Sequence, residues 1–387
     1  MAQLRHDPLH SRYMPASRTT PVLVQQQPTL EQACKDLAQH NELALDTEFV
    51  RTNTYYPKLG LIQLSAGEFT VCVDPLAGLD LNPLWEVLFD PGRLMIVHAA
   101  KQDLEVLLLT AEGIPRFLID TQIEAGLLGH AAQIGYATLA KTLLDVEISK
   151  SQTRTDWSKR PLSEAQLHYA AEDVEHLSTM HQRLRDQLLE SGRYEWACED
   201  SAALIEPSQY VQDPAVAWQR IRRIQYLPAG EQYRARRLAA WRERQAVRLN
   251  RPRQWILSDR ALMAIAKTAP ANRDELAGCD DLPAGVVRKR GEILLEQVAS
   301  ADRELASGKV HIEQKQRPPS KEPALVTKLV GIVRAHSERL NIPAEILASR
   351  REISAIARGK CDGRVLSGWR LEVFGNELLT AVPATPQ

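Results

Sequence analysis

The chain has 387 residues, 44% hydrophobic and 25% charged, with a formal net charge of -1, a balance that fits a soluble globular protein of two or three domains. No stretch approaches the ~20 apolar residues that span a bilayer, so no membrane partner is expected. The five cysteines are widely separated and form no C-x-x-C pair, which argues against a disulfide framework or thiolate zinc site and points to a reducing cytoplasm.

In chain order, residues 1–20 are polar, broken by prolines and lack an apolar core, so they read as a flexible leader and not a signal peptide. From 21 to 206 strands and helices alternate. "LALDTEFV", "LGLIQLSA" and "FTVCVD" are β-rich runs between turn residues, the pattern of a three-strand antiparallel meander. "NPLWEVLF" reads as a helix, "RLMIVHA" as a buried strand and "KQDLEVLLLTAEG" as a helix closed by Gly113. "FLIDTQIEAGLLG" is a strand turning into a helix. In "RPLSEAQLHYAAEDVEHL", Ser163 stands three residues before Gln166, a capping box that starts a helix after Pro161. Such an order predicts a mixed sheet covered by helices.

Strand signals stop after "EPSQYVQDP". Residues 213–300 form one helical block, 301–322 a polar, proline-bearing linker, and 323–387 a second helical block. The two blocks read as degenerate copies of one module: "WILSDRALMAIAK" matches "EILASRREISAIAR", and "RGEILL" matches "FGNELL". Between Pro214 and Arg260 stand twelve arginines and no lysine against Glu231, Glu243 and Asp259, a net +9. Charge so segregated suits a polyanion, although a solvated helix face gives the same pattern.

Three further signals are acidic. Asp46 and Glu48 are two apart on a strand and share one face, while Leu43, Leu45, Thr47 and Phe49 share the other. Asp103 lies 55 residues beyond Glu48 in the first turn of a helix, where the helix dipole alone favours an acid. Tyr169 and Asp173 are four apart on one face of the helix that Ser163 caps. Taken singly, each fits a solvent-facing acid.

Taken together and in order, they resemble the DEDD exonucleases with tyrosine in the last motif. The segments "LDTEF", "YYPKLGLIQLS", "DTQIEAGLLG" and "GYATLAKTLLDVEISKSQTRTDWSKRPLSEAQLHYAAEDVEHL", with two helical repeats behind them, are similar to the ribonuclease D family. The resemblance implies an α/β RNase H-like exonuclease domain at 21–206, a mixed sheet with the antiparallel meander, followed by two small all-α HRDC-like bundles. It implies a 3'-to-5' exoribonuclease that releases nucleoside 5'-monophosphates and matures the 3' ends of tRNA precursors and other structured RNAs. No obligate protein partner is expected.

Converging carboxylates repel unless cations neutralise them, and hard oxygen ligands favour Mg2+ or Mn2+. The resemblance assigns two such ions to Asp46, Glu48, Asp103 and Asp173, with Asp46 bridging, Glu48 and Asp173 on the ion that carries the attacking water, and Asp103 on the other. It assigns Tyr169 to that water. With an ordinary pKa near 10 the phenol is a poor base at neutral pH, so metal does most of the activation.

Substrate contacts are expected at Phe49, beside the terminal base, at His98 and at Lys150, Trp157 and Arg160 in the loop before the last helix. Each has a structural alternative: a core phenylalanine, a buried histidine, a loop that packs the helix start. His168 and His176 match no metal spacing. The arginine-rich first block is expected to bind phosphates and the second to serve more as a spacer, with RNA affinity unchanged when residues from 321 onward are deleted. A DNA exonuclease with the same metal site and a non-catalytic RNA adaptor are the other readings, the second disfavoured by five intact site residues.

Overall fold

The computed structural model describes residues 21–383 except 68, 150, 151, 153, 154, 309 and 313–322, so the leader, Lys150 and half of the linker lie outside the described residues. A six-stranded sheet organises the first domain, with β1 (Val22–Val24), β2 (Glu42–Val50), β3 (Lys58–Ala66), β4 (Phe69–Val73), β5 (Leu94–Val97) and β6 (Phe117–Asp120) in the order β1-β4-β3-β2-β5-β6. The meander is there: β2–β3 and β3–β4 are antiparallel, whereas β1 joins β4, β5 joins β2 and β6 joins β5 in parallel. At three residues, β1 is too short to carry a periodic signal, and its pairing with β4 fixes it as a strand.

Alternation along β2 sorts its residues to two covered faces. Leu43 and Leu45 enter a core shared with α1 (Gln27–Leu37), α2 (Asn82–Leu88) and α3 (Lys101–Ala111). Ala44 enters a second core that reaches Ile96, Ile119, Val174 and Met180. Behind that face stand α4 (Thr121–Leu127), α5 (Tyr136–Leu144), α6 (Glu164–Glu175), α7 (Leu177–Glu190) and α8 (Tyr194–Ala202). The helix expected to close at Gly113 closes one residue earlier, on Glu112 in the left-handed region at φ 54°; Gly113 matters for space, since a Cβ there would stand 2.8 Å from the Phe89 ring.

The first helical block contains α9 (Ala229–Leu249), α10 (Arg253–Ile256), α11 (Asp259–Thr268), α12 (Arg273–Ala277) and α13 (Ala284–Ala306). The last of these runs six residues past the boundary expected at 300, because its apolar positions continue through buried Ala301. The second block has α14 (Ala324–Leu340), α15 (Ala344–Leu347), α16 (Arg350–Ile356), α17 (Gly368–Arg370) and α18 (Asn376–Ala381), with a π-helical turn at Leu371–Gly375. Local chemistry repeats between the blocks: Asn250 and Asn341 close α9 and α14 in the left-handed region, Pro252 and Pro343 precede short helices, and Ser258 and Ser349 cap the next ones.

Both blocks rest on the sheet domain. The β2–β3 loop inserts Tyr55 into the core of the first block, where its hydroxyl donates to Glu243 and the Arg253 guanidinium stacks 4.5 Å from its ring. Asn250 Oδ1 accepts from the N–H groups of both Tyr55 and Tyr56. The second block packs on α8: Trp369 stacks on Trp196 at 4.4 Å and Arg370 makes a two-pronged ion pair with Asp200. It shares one continuous core with the sheet domain, a more intimate attachment than a spacer needs.

Candidate active site

β2 carries its acids at a break in the sheet. β5 pairs with β2 only from Glu42↔Leu94 to Ala44↔Ile96, so from Leu45 onward one side of β2 is open. A cleft at the carboxyl ends of two neighbouring parallel strands, where the chain leaves in opposite directions, is where open α/β sheets bind ligands. Past β5 the chain turns through Ala99 at φ 58°. This conformation is costly for alanine and is held by Asp120 at the end of β6, whose carboxylate accepts from the N–H groups of Ala99, Ala100 and Gln122. The turn aims the start of α3, and with it Asp103, at the open side of β2.

On β2 the two acids lie on the face that α6 covers, not on a solvent face. Across the strand pair, Glu48 faces Leu61 and Asp46 faces Gln63, and α6 lies over both strands. Its capping box forms as the sequence indicates, with Ser163 accepting from the Gln166 N–H and the Gln166 side chain closing back on Ser163. Small Ala170 and Ala171 let the helix approach Leu61 and Cys72. Asp173 then meets the strand acids: one carboxylate oxygen from each of Asp46, Glu48 and Asp173 lies within 4.8 Å of the others. Tyr169, one turn earlier, donates its phenolic hydrogen to Asp173. Asp103 stands outside that trio and accepts from the Thr47 hydroxyl at 2.5 Å.

Burial, first of all, drives these carboxyls upward, and mutual repulsion adds to it. The Asp46 carboxyl is held well above the ordinary range by burial and then by Asp103, Asp173 and Glu48, against one hydrogen bond from the Thr47 N–H. Glu48 is pushed up to about 8 by burial, Asp173 and Asp103. Burial raises Asp173 to about 7 although Tyr169 opposes it, and Asp103 to about 6 although Thr47 does. Asp46 is the hub, since all three other acids act on it. Without a cation such a site holds protons; all-oxygen donors within 4.8 Å fit a hard divalent ion, not one that prefers thiolate or imidazole.

The remaining expected contacts are placed differently. His98 has both ring nitrogens engaged, Nδ1 with the Thr121 hydroxyl and Nε2 with the Ile134 carbonyl, each at 2.9 Å. It braces the loop before α5. Trp157 is 2% exposed and packs on Gly60 and Tyr169 beneath α6. Arg160 grips buried Asp74 through Nε and Nη2 at 2.7 and 2.6 Å and donates to the Gly60 carbonyl, so its guanidinium ties the loop to the sheet instead of meeting phosphate. Burial works against the Asp74 carboxylate, yet the bonds from Arg160, Gln25 and the Leu76 N–H outweigh it and hold the carboxyl below its usual range. Phe49 follows a bulge and packs partly into the core on the α1 side. Lys150 is outside the described residues.

Two neighbours of the acids carried no separate sequence signal. Tyr136 packs a half-buried ring against α6, donates to the Glu172 carbonyl at 2.6 Å, and has its hydroxyl pushed far up by burial and by Asp173. Gln63 is 0% exposed, with no hydrogen-bond partner for either amide atom among the described residues. Its own strand position, directly opposite Asp46, was the available clue.

Comparison with known proteins gives the family. The family model described as 3'-5' exonuclease fits residues 21–189, and that of the HRDC domain fits 231–298. The chain is 38% identical over 371 residues to ribonuclease D of Granulibacter bethesdensis, covering 93% of this chain and 92% of that one. It is 40% identical over 367 residues to ribonuclease D of Gluconacetobacter diazotrophicus, with the same two coverages. The crystal structure of Escherichia coli RNase D, described as an exoribonuclease involved in structured RNA processing, superposes with a TM-score of 0.85 at 31% identity, covering 95% of this chain and all of that one.

Proposed function

The chain belongs to the ribonuclease D family of 3'-to-5' exoribonucleases, and we propose that its cleavage site is the acid cluster at the open side of β2. The observation that carries this is the convergence of Asp46, Glu48 and Asp173 oxygens within 4.8 Å, with Tyr169 bonded to one of them. Asp46 would bridge two Mg2+ or Mn2+ ions, with Glu48 and Asp173 completing one and Asp103 supporting the other. When bound, such ions lower the pKa of water and stabilise charge on the attacking and leaving oxygens.

The chain's own groups supply position. Tyr169 gives its hydrogen to Asp173, and in this reading its phenolic oxygen accepts a hydrogen from the attacking water and turns the water's lone pair toward phosphorus. Thr47 and the Asp120-held turn fix Asp103. Asp173 is held by a capped helix, and the other acids by a strand flanked on both sides at its base. The site is thereby preorganised.

The substrate is RNA with an accessible 3' end, and we assign tRNA precursors with 3' trailing sequence, acted on in the cytoplasm. Among the described residues no helix is long and apolar enough to cross a membrane. The test incubates a tRNA precursor, a single-stranded RNA and a matched DNA strand with Mg2+ or Mn2+. Shortening of both RNAs from the 3' end, with DNA much slower, is the expected result; equal rates on DNA would make this a general exonuclease, and an untouched precursor beside a degraded single strand would remove the tRNA assignment.

A further inference from the structure

The +9 segment is not uniformly available to a ligand. Five of its twelve arginines meet acids: Arg220 and Arg253 with Glu243, Arg234 with Asp302, Arg237 with Glu304 and Arg242 with Asp259. Arg236 lies 4.1 Å over the Trp218 ring. By contrast Arg244, Arg248 and Arg251 are exposed, and among the described residues none has an acid partner. Arg244 and Arg248 lie toward the C-terminal end of α9, and Arg251, just past that end, sits beside one aromatic side chain.

That side chain is Trp255, on α10 and 56% exposed, among the most exposed large apolar residues of the described chain. The Arg251 guanidinium sits 5.8 Å from its ring centre. Arg290 of α13 reaches the carbonyl of Ile256, the next residue, and lies close enough to Arg248 for the two to repel. Arg244 and Arg248, four apart on α9, extend the cationic strip along one face. An exposed indole costs solvation and clustered guanidinium groups repel, so a ligand that covers the ring and supplies negative charge relieves both. Single-stranded RNA does so, because an unpaired base offers a flat face to the ring and its flanking phosphates meet the arginines. A duplex hides its base faces.

We propose that Trp255, with Arg251 beside its ring and Arg244, Arg248 and Arg290 on the adjoining helices α9 and α13, is a stacking platform for an unpaired nucleobase of RNA upstream of the end being cleaved. The end of α9 that bears the patch is tied to the catalytic strand, since Asn250 accepts from the Tyr55 and Tyr56 N–H groups on the loop that leaves β2. RNA held at Trp255 is therefore held at a fixed distance from Asp46 and Glu48. The link to cleavage rests on the reading of the acid cluster given above; the binding itself does not.

The test uses the full chain as wild type, Trp255→Ala, Trp255→Phe and Arg251→Gln. Binding of a 5'-fluorescein single-stranded RNA of roughly 20 nucleotides is measured in EDTA, and hydrolysis of that RNA and of a trinucleotide in Mg2+. Stacking on one base is worth ~1–3 kcal/mol, so Trp255→Ala is expected to weaken binding and raise KM for the longer RNA by about tenfold, with kcat within about twofold. Trp255→Phe should keep most of the affinity, Arg251→Gln should lose about threefold, and the trinucleotide should be cleaved at the wild-type rate by all four. Wild-type affinity of both Trp255→Ala and Arg251→Gln would overturn the proposal, as would an equal loss on a blunt duplex. A wild type that binds through Trp255 in EDTA but cleaves nothing would keep the platform and remove the cleavage reading instead.

Discussion

In metal-free protein, Glu48→Gln should turn a falling stability-versus-pH profile into a flatter one. Glu48 keeps its proton to about pH 8 in the folded chain, against an ordinary 4.5, because burial and then Asp173 and Asp103 disfavour its charge. A folded-state pKa raised above the unfolded value means that the unfolded chain releases the proton first. The group's contribution is then fully present below about pH 4.5 and is lost as pH rises through 8. For a fully enclosed carboxyl the loss is on the order of 5 kcal/mol; Glu48 keeps some contact with water, so about 2–4 kcal/mol is the working figure. Asp173 and Asp103 slope the same way, being raised to about 7 and 6. Urea unfolding in EDTA from pH 5 to pH 9 reads this directly. Wild type should lose stability across the range, and Glu48→Gln should lose less and be the more stable of the two at pH 9. Added Mn2+ should reverse the wild-type slope, because metal requires ionised ligands. A flat wild-type profile in EDTA, or a variant less stable than wild type at pH 9, would refute the electrostatics assigned to the cluster.

Other outcomes follow from the same contacts. Tyr169→Phe removes the phenolic oxygen beside Asp173 but leaves the fold, so kcat should fall about 10²-fold while the Kd for RNA in EDTA stays put; a parallel loss of affinity would place Tyr169 in substrate binding instead. Arg160→Ala strands Asp74, 1% exposed in its side chain, and should cost ~3–5 kcal/mol in denaturant unfolding with little change in RNA affinity for the fraction that stays folded. Weakened affinity without destabilisation would restore Arg160 as a phosphate contact. Gln63→Leu replaces a buried amide with two unpaired atoms by an apolar group of similar size, so the metal-free protein should gain about 1 kcal/mol; a loss of that size would mean that the amide has a partner in solution.

What could be read in the sequence was what local chemistry determines. The i, i+2 acids of β2, the Ser163–Gln166 box and the i, i+4 spacing of Tyr169 and Asp173 all depend on neighbours within one turn or two strand residues, and all three appear in the structure. The repeated left-handed asparagine, proline and serine cap of the two helical blocks is local in the same sense. Side chains whose partners are distant in sequence were not legible. Arg160 and Asp74 are 86 residues apart, and only the closed sheet shows that the arginine is already taken. His98 is satisfied by Thr121 and Ile134 from the next strand–helix unit. Tyr55 finds Glu243 across 188 residues, which is why the attachment of the first helical block to the catalytic strand had no sequence signature. A basic or aromatic residue in a loop near acids is thus ambiguous until its long-range partner is known.

The most direct test of the account replaces the hub of the cluster and leaves its shape. Asp46→Asn and wild type are incubated with 5'-labelled single-stranded RNA in Mg2+, in Mn2+ and in EDTA. A ladder shortening from the 3' end, for wild type with metal only, is the expected result. A ladder from Asp46→Asn at the wild-type rate, or from wild type in EDTA, would contradict a metal-dependent cleavage site built on Asp46.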